Sequence, residues 1–132
     1  MIIEILIFAA FMGFFGVATE YIFTSIPSKK HIGKVSLYML PLYAACLTIL
    51  FQPVMYFISD WSDWIRLIVY AILIMIVEGL SGIFLHRILK RDVWTYPGRG
   101  FFKYTNLKMF PWWGYWGILV EAFINYLRSH GI

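Results

Sequence analysis

Residues 65–89 form one long apolar run, with Arg66 at its mouth and otherwise only Glu78, Gly79, Ser81, Gly82 and the His86-Arg87 pair near its end interrupting it. A helix needs about 20 apolar residues to cross a hydrocarbon core roughly 30 Å thick, and this run supplies them. Inside lipid every backbone donor and acceptor must be paired within the segment, which leaves a helix or a closed barrel. The rest of the chain agrees. Of its 132 residues, 61% are hydrophobic and 14% charged, where a soluble domain has about half and about a quarter. That balance excludes a disordered chain, a collagen-like chain and a water-soluble globular domain.

The remaining sequence divides into three further runs, so the expected architecture is all-α: a polytopic membrane protein, one domain of four transmembrane helices over residues 2–25, 35–58, 65–89 and 109–127. The first turn, Ile26-Pro27-Ser28-Lys29-Lys30-His31-Ile32-Gly33-Lys34, carries proline, glycine and three lysines, a breaker composition. Pro41 and Pro53 predict kinks in the second span, which membrane helices tolerate. The second turn, with Asp60, Trp61, Asp63 and Trp64, reads as a solvated acidic interface. Between spans three and four, residues 90–108 hold basic and aromatic side chains, among them Trp94, Tyr96 and Arg99. Amphipathic rings and cations favour the headgroup layer, so this segment is expected to lie there.

Orientation follows from the cations. Lys29, Lys30, Lys34, Arg87, Lys90, Arg91, Arg99, Lys103 and Lys108 fall on one side, Arg66 and Arg128 on the other. Basic loops stay in the cytoplasm, which places loops one and three there and both termini outside, in a bacterial plasma membrane. The net charge of +4 therefore reports topology and not nucleic-acid binding. Met1-Ile2-Ile3-Glu4 lacks the basic start of a secretory signal, and Cys46 stands alone in an apolar run, so no internal disulfide is expected.

Three carboxylates fall within spans: Glu20, Glu78 and Glu121. An ionisable group at membrane depth costs at least a few kcal/mol and marks a functional site facing protein or water. Helical rise puts Glu78 and Glu121 at comparable depth, with Glu20 about 8 Å from the cytoplasmic end. All three could face one polar cavity as a proton or ligand site, joined by His86 two turns after Glu78 and Asn125 one turn after Glu121. No basic residue stands in mid-span to pair them. The alternative is structural: a protonated glutamate can simply bond a neighbouring helix.

Glycines accompany each acid. Span one reads Gly13-Phe14-Phe15-Gly16 before Glu20, and span four reads Gly114-Tyr115-Trp116-Gly117 before Glu121; span three offers Gly79 and Gly82. Such small-residue stripes let helices approach closely. The echo between spans one and four has the form of an inverted repeat. The tryptophans and tyrosines read first as an interfacial belt, and His86 as an interface residue.

Familiar reaction chemistry is missing from the sequence. There is no zinc-spaced Cys/His set, phosphate loop, HExxH or GxSxG motif. Neither a catalytic residue, a metal nor a cofactor is expected, and energy for transport would come from an ion gradient or a separate partner.

Short motifs from Gly13 onward then align with one family. They are Gly16 to Glu20, Ser36-Leu37-Tyr38 with Pro41-Leu42-Tyr43, Glu78-Gly79, Trp94-Thr95-Tyr96, and Pro111-Trp112-Trp113-Gly114. With these the chain resembles the type IV ABC-transporter membrane family (CmpB-like), which also includes vertebrate transmembrane protein 229. The resemblance implies a four-span fold in the membrane, with the glutamates and the Trp-x-Tyr element as signature positions.

The leading functional expectation is a permease-like or transport-associated protein with an intramembrane glutamate site for protons or a cationic solute. A scaffold or accessory subunit of a larger membrane complex is the second, and a lipid-acting enzyme using two carboxyls as acid and base the third. Four helices enclose little volume, so a homo-oligomer or a larger membrane partner is expected beside the lipid bilayer.

Overall fold

A computed structural model describes residues 1–25 and 39–132, with the side chains of residues 20 and 23–25 outside that description. Among the described residues all regular structure is helical. The helices are α1 (Ile2–Ser25), α2 (Met39–Phe57), α3 (Asp63–Leu89) and α4 (Phe110–Ser129). Three of them, α1, α2 and α3, are long and apolar enough to cross a membrane. The fourth has 20 residues but carries so many tryptophans and tyrosines that its apolar character is lower. The basic first turn and the Ser36-Leu37-Tyr38 motif lie outside the described residues.

Two compact units make up these residues, 1–53 with 131–132, and 54–130. In the first, α1 is apolar on every face, as a helix surrounded by lipid and protein should be. Phe8 and Met12 are buried, and Gly13 and Gly16 admit α2. A Cβ on Gly13 would meet the Leu40 carbonyl oxygen at 2.9 Å, and one on Gly16 would run into the Tyr43 ring. Thr19 is buried and satisfied within its own helix, its Oγ1 donating to the Phe15 carbonyl at 2.8 Å, the usual way a membrane helix hides a hydroxyl.

The two prolines of α2 behave differently. Pro41 falls in the first described turn. Pro53 stands deep in the helix, and the preceding residues Cys46–Phe51 widen into a π turn. The Gln52 N–H accordingly donates five residues back, to the Leu47 carbonyl. Widening relieves the clash between a proline ring and the carbonyl four residues earlier.

In the second unit, α3 starts with Asp63 and ends with His86 and Arg87, charges placed to suit the helix dipole. It stops at Lys90, which takes a left-handed conformation (φ 56°) and donates its N–H to the His86 carbonyl at 2.9 Å. Pro111 preorganises the first turn of α4. Against α3, α4 sets Gly114 on Leu67 and Gly117 on Tyr70, so closely that neither glycine has room for a methyl group. Lipid tails are as apolar as leucine, so burial alone does not drive such pairing, and close van der Waals packing does. Tyr70, Trp116, Val120 and Ile124 are buried there, and the Trp113 and Trp116 rings meet edge to face with centroids 5.9 Å apart.

Segment 90–109 does not arch away from this pair. It holds two short 3₁₀ turns, Gly100–Lys103 and Leu107–Met109, and folds back along the last turns of α3. Phe101 fills the space over Gly79, and Tyr104 that over Gly82. Gly79 precedes the end of α3 by ten residues, about 15 Å of helix rise.

Candidate functional site

Folding segment 90–109 against α3 delivers polar groups to Glu78. Tyr96 Oη donates to Glu78 Oε1 at 2.8 Å. Thr105 Oγ1 donates to Oε2 at 3.0 Å, and the Trp113 indole N–H, from the first turn of α4, donates to the same oxygen at 3.1 Å. Thr105 and Trp113 are buried, at 0% and 5% exposure, while Glu78 and Tyr96 are half-buried. All three donors are neutral. They occupy lone pairs on both carboxylate oxygens, and hydrogen bonds of this kind favour the charged form of a carboxyl.

Glu121 sits in a different environment. Arg66 pairs with its Oε1 and Tyr70 Oη donates to its Oε2, while Arg66 also reaches Asp63. The Arg66 and Glu121 side chains are 15% and 13% exposed, and Asp63 is almost fully exposed. In the sequence the acids have no basic partner at mid-span, because Arg66 stands at the helix mouth. A guanidinium on a long stem reaches inward from there, and it matches the charge of Glu121. Tyr70 and Arg66 precede Glu78 on α3 by eight and twelve residues, so the two carboxylates are anchored about 12 to 18 Å apart along that helix.

A third cluster lies in the segment itself. Asp92 Oδ1 accepts from Tyr104 Oη at 2.7 Å and lies 2.8 Å from His86 Nδ1; its Oδ2 lies 2.8 Å from Lys103 Nζ. The Lys103 ammonium, then the Tyr104 hydroxyl and His86, hold the Asp92 carboxyl below the usual range, at about 2. The same bonds to Asp92 push Lys103 and Tyr104 up. Trp94 ties the segment internally, its indole N–H donating to the Tyr104 carbonyl at 2.8 Å, and the Tyr96 N–H donates to the Lys103 carbonyl at 2.7 Å.

The residues singled out from sequence thus separate. Tyr96 meets Glu78; His86 is exposed and belongs with Asp92; Asn125 and Arg99 are exposed on α4 and the segment. The Glu20 side chain lies outside the described residues. All six glycines are buried, the α1 pair filled by α2, the α4 pair by α3, and the α3 pair by loop aromatics. Thr105, Trp113, Tyr70, Arg66 and Asp92 were not legible as site residues. Thr105 and Asp92 carry no local signal, and Trp113 reads as belt until the path of the segment is known. Among the described residues no three His, Cys, Asp or Glu side chains gather as metal ligands would.

Comparison with curated proteins and with solved structures gives no match. The family comparison does: residues 6–131 match the family described as "Putative ABC-transporter type IV" (ABC_trans_CmpB). With nearly its full length matched and three helices apolar enough to cross a bilayer, this chain is a membrane protein that belongs to that family.

Proposed function

We propose that the protein is a four-span, permease-like or transport-associated component of the membrane in which Glu78 receives a proton or a cationic solute. One observation carries the reading: Tyr96, Thr105 and Trp113 converge on the Glu78 carboxylate from two different elements. Three donors on one half-buried acid make a prepared anionic position, and ionisable groups at membrane depth are expected to serve protons or solutes. Glu121 takes the other role in this reading. Its charge is met by Arg66, so it ties α3 to α4.

The fourth span is α4, whose 20 residues rise about 30 Å, the thickness of a hydrocarbon core. With four crossings, the nine cations of loops one and three favour the cytoplasm for those loops and the outside for both termini. In this reading an ion gradient or a separate ATPase supplies the energy; the latter accords with the family's description.

The test uses purified protein in vesicles, with an entrapped pH dye for protons and with sodium, potassium and tetramethylammonium as cations. Glu78→Gln is expected to reduce the wild-type flux at least tenfold, to the level of empty vesicles. Fluxes equal to wild type for every one of these probes would remove the proposal.

A further inference from the structure

The segment that covers Glu78 is held by the same group it covers. Phe101 and Tyr104 pack closely on Gly79 and Gly82 of α3, and polar ties between segment and helix add to that packing. One tie is His86 with Asp92, at the C-terminal end of α3. Another is Glu78, which takes both Tyr96 Oη and Thr105 Oγ1 from the segment. An ionised carboxylate is acceptor-only, and hydrogen bonds to it are about twice as strong as bonds between neutral groups. A proton on Glu78 removes that charge and turns one oxygen into a donor. A bound cation takes the lone pairs for itself. Either event sets the arriving ligand against Tyr96 and Thr105.

We propose that segment 90–109 is a lid on Glu78, latched by the negative charge of that residue and released when Glu78 is loaded. This rests on the reading of Glu78 given above and adds the movement that would accompany its use. Among the other ionisable groups of segment and helix, His86, Lys103 and Tyr104 each bond Asp92 and form a separate fastening. From α4 comes Trp113, which does not titrate. Linkage makes the effect reciprocal: a ligand that opens the lid binds the open form more tightly, and whatever pries the lid open alters binding at Glu78 by the same factor.

Hydrogen–deuterium exchange on the full chain in lipid nanodiscs tests this directly. In Glu78→Gln, which keeps the shape and removes the charge, amides of residues 94–106 are expected to exchange at least tenfold faster than in wild type, with residues 113–127 of α4 unchanged. The double variant Tyr96→Phe, Thr105→Val leaves Glu78 intact and is expected to give the same acceleration. Should Glu78→Gln also lose protection in α4, the double variant alone decides. Wild-type protection of 94–106 in the deciding variants overturns the lid. Faster exchange with an unchanged vesicle flux retains the lid and overturns the transport reading; a lost flux with an unmoved segment does the reverse.

Discussion

Asp92 shows how much a single side chain of the connecting segment can organise. Its two oxygens gather Lys103, Tyr104 and His86, and these hold its carboxyl at about 2, against about 3.9 for an aspartate in an unfolded chain. A carboxyl whose folded value is the lower one favours the folded state above the unfolded value, and that advantage fades as pH falls through the folded one. Wild type is therefore expected to unfold at a higher temperature than Asp92→Asn at pH 5 to 7. The difference should shrink between about pH 4 and pH 2 and vanish below that. A Tm difference that stays constant down to pH 2 contradicts the Asp92 network. Arg66 makes a complementary point, since its reach to Glu121 depends on a side chain's length and on a neighbour 55 positions away, neither visible in local pattern.

Elements here meet through glycine, and the two glycines of α3 should not be equally sensitive. A methyl group at position 79 meets the outer edge of the Phe101 ring, which can swing aside. At position 82 it meets Tyr104 at Cβ, close to the backbone, and that tyrosine is buried and bonded to Asp92. Gly82→Ala is expected to cost about 1–3 kcal/mol, the usual penalty of overpacking, and Gly79→Ala less than about 1. Thermal unfolding in a mild detergent measures both, and equal costs would show that Tyr104 is not fixed. The helices themselves were legible, because bilayer thickness and apolar run length leave few alternatives. The glycine pairs also announced close approach. What they could not announce was the partner: span three's pair accepts loop rings and not a helix, because an aromatic side chain fills the same notch as a helix backbone.

For the whole molecule, the proposed even number of crossings would decide where the polar parts stand. On the proposed topology Arg99 and Ser129 lie on opposite sides of the membrane. Single cysteines at these two positions, in a Cys46→Ser background, should react with an impermeant maleimide from opposite faces of sealed vesicles. Labelling from the same face would mean that α4 enters and does not cross. Composition favours the headgroup layer for the segment between α3 and α4, and it does not tell which of its rings also pack on glycine, as Phe101 and Tyr104 do. Tyr96 and Thr105 became visible as partners of Glu78 only with the path of the chain.

The wide turn at Cys46–Phe51 has a consequence for how this helix tolerates change in length. A π turn holds one residue more than an α-helix needs to cover the same rise. Removing one residue there lets the strand of peptide groups on either side rejoin in ordinary register, whereas a deletion in α1 rotates every later side chain by about 100°. The neighbourhood of Thr48, whose buried hydroxyl has no hydrogen-bond partner among the described residues, is thus where this chain could lose a residue and keep its faces aligned.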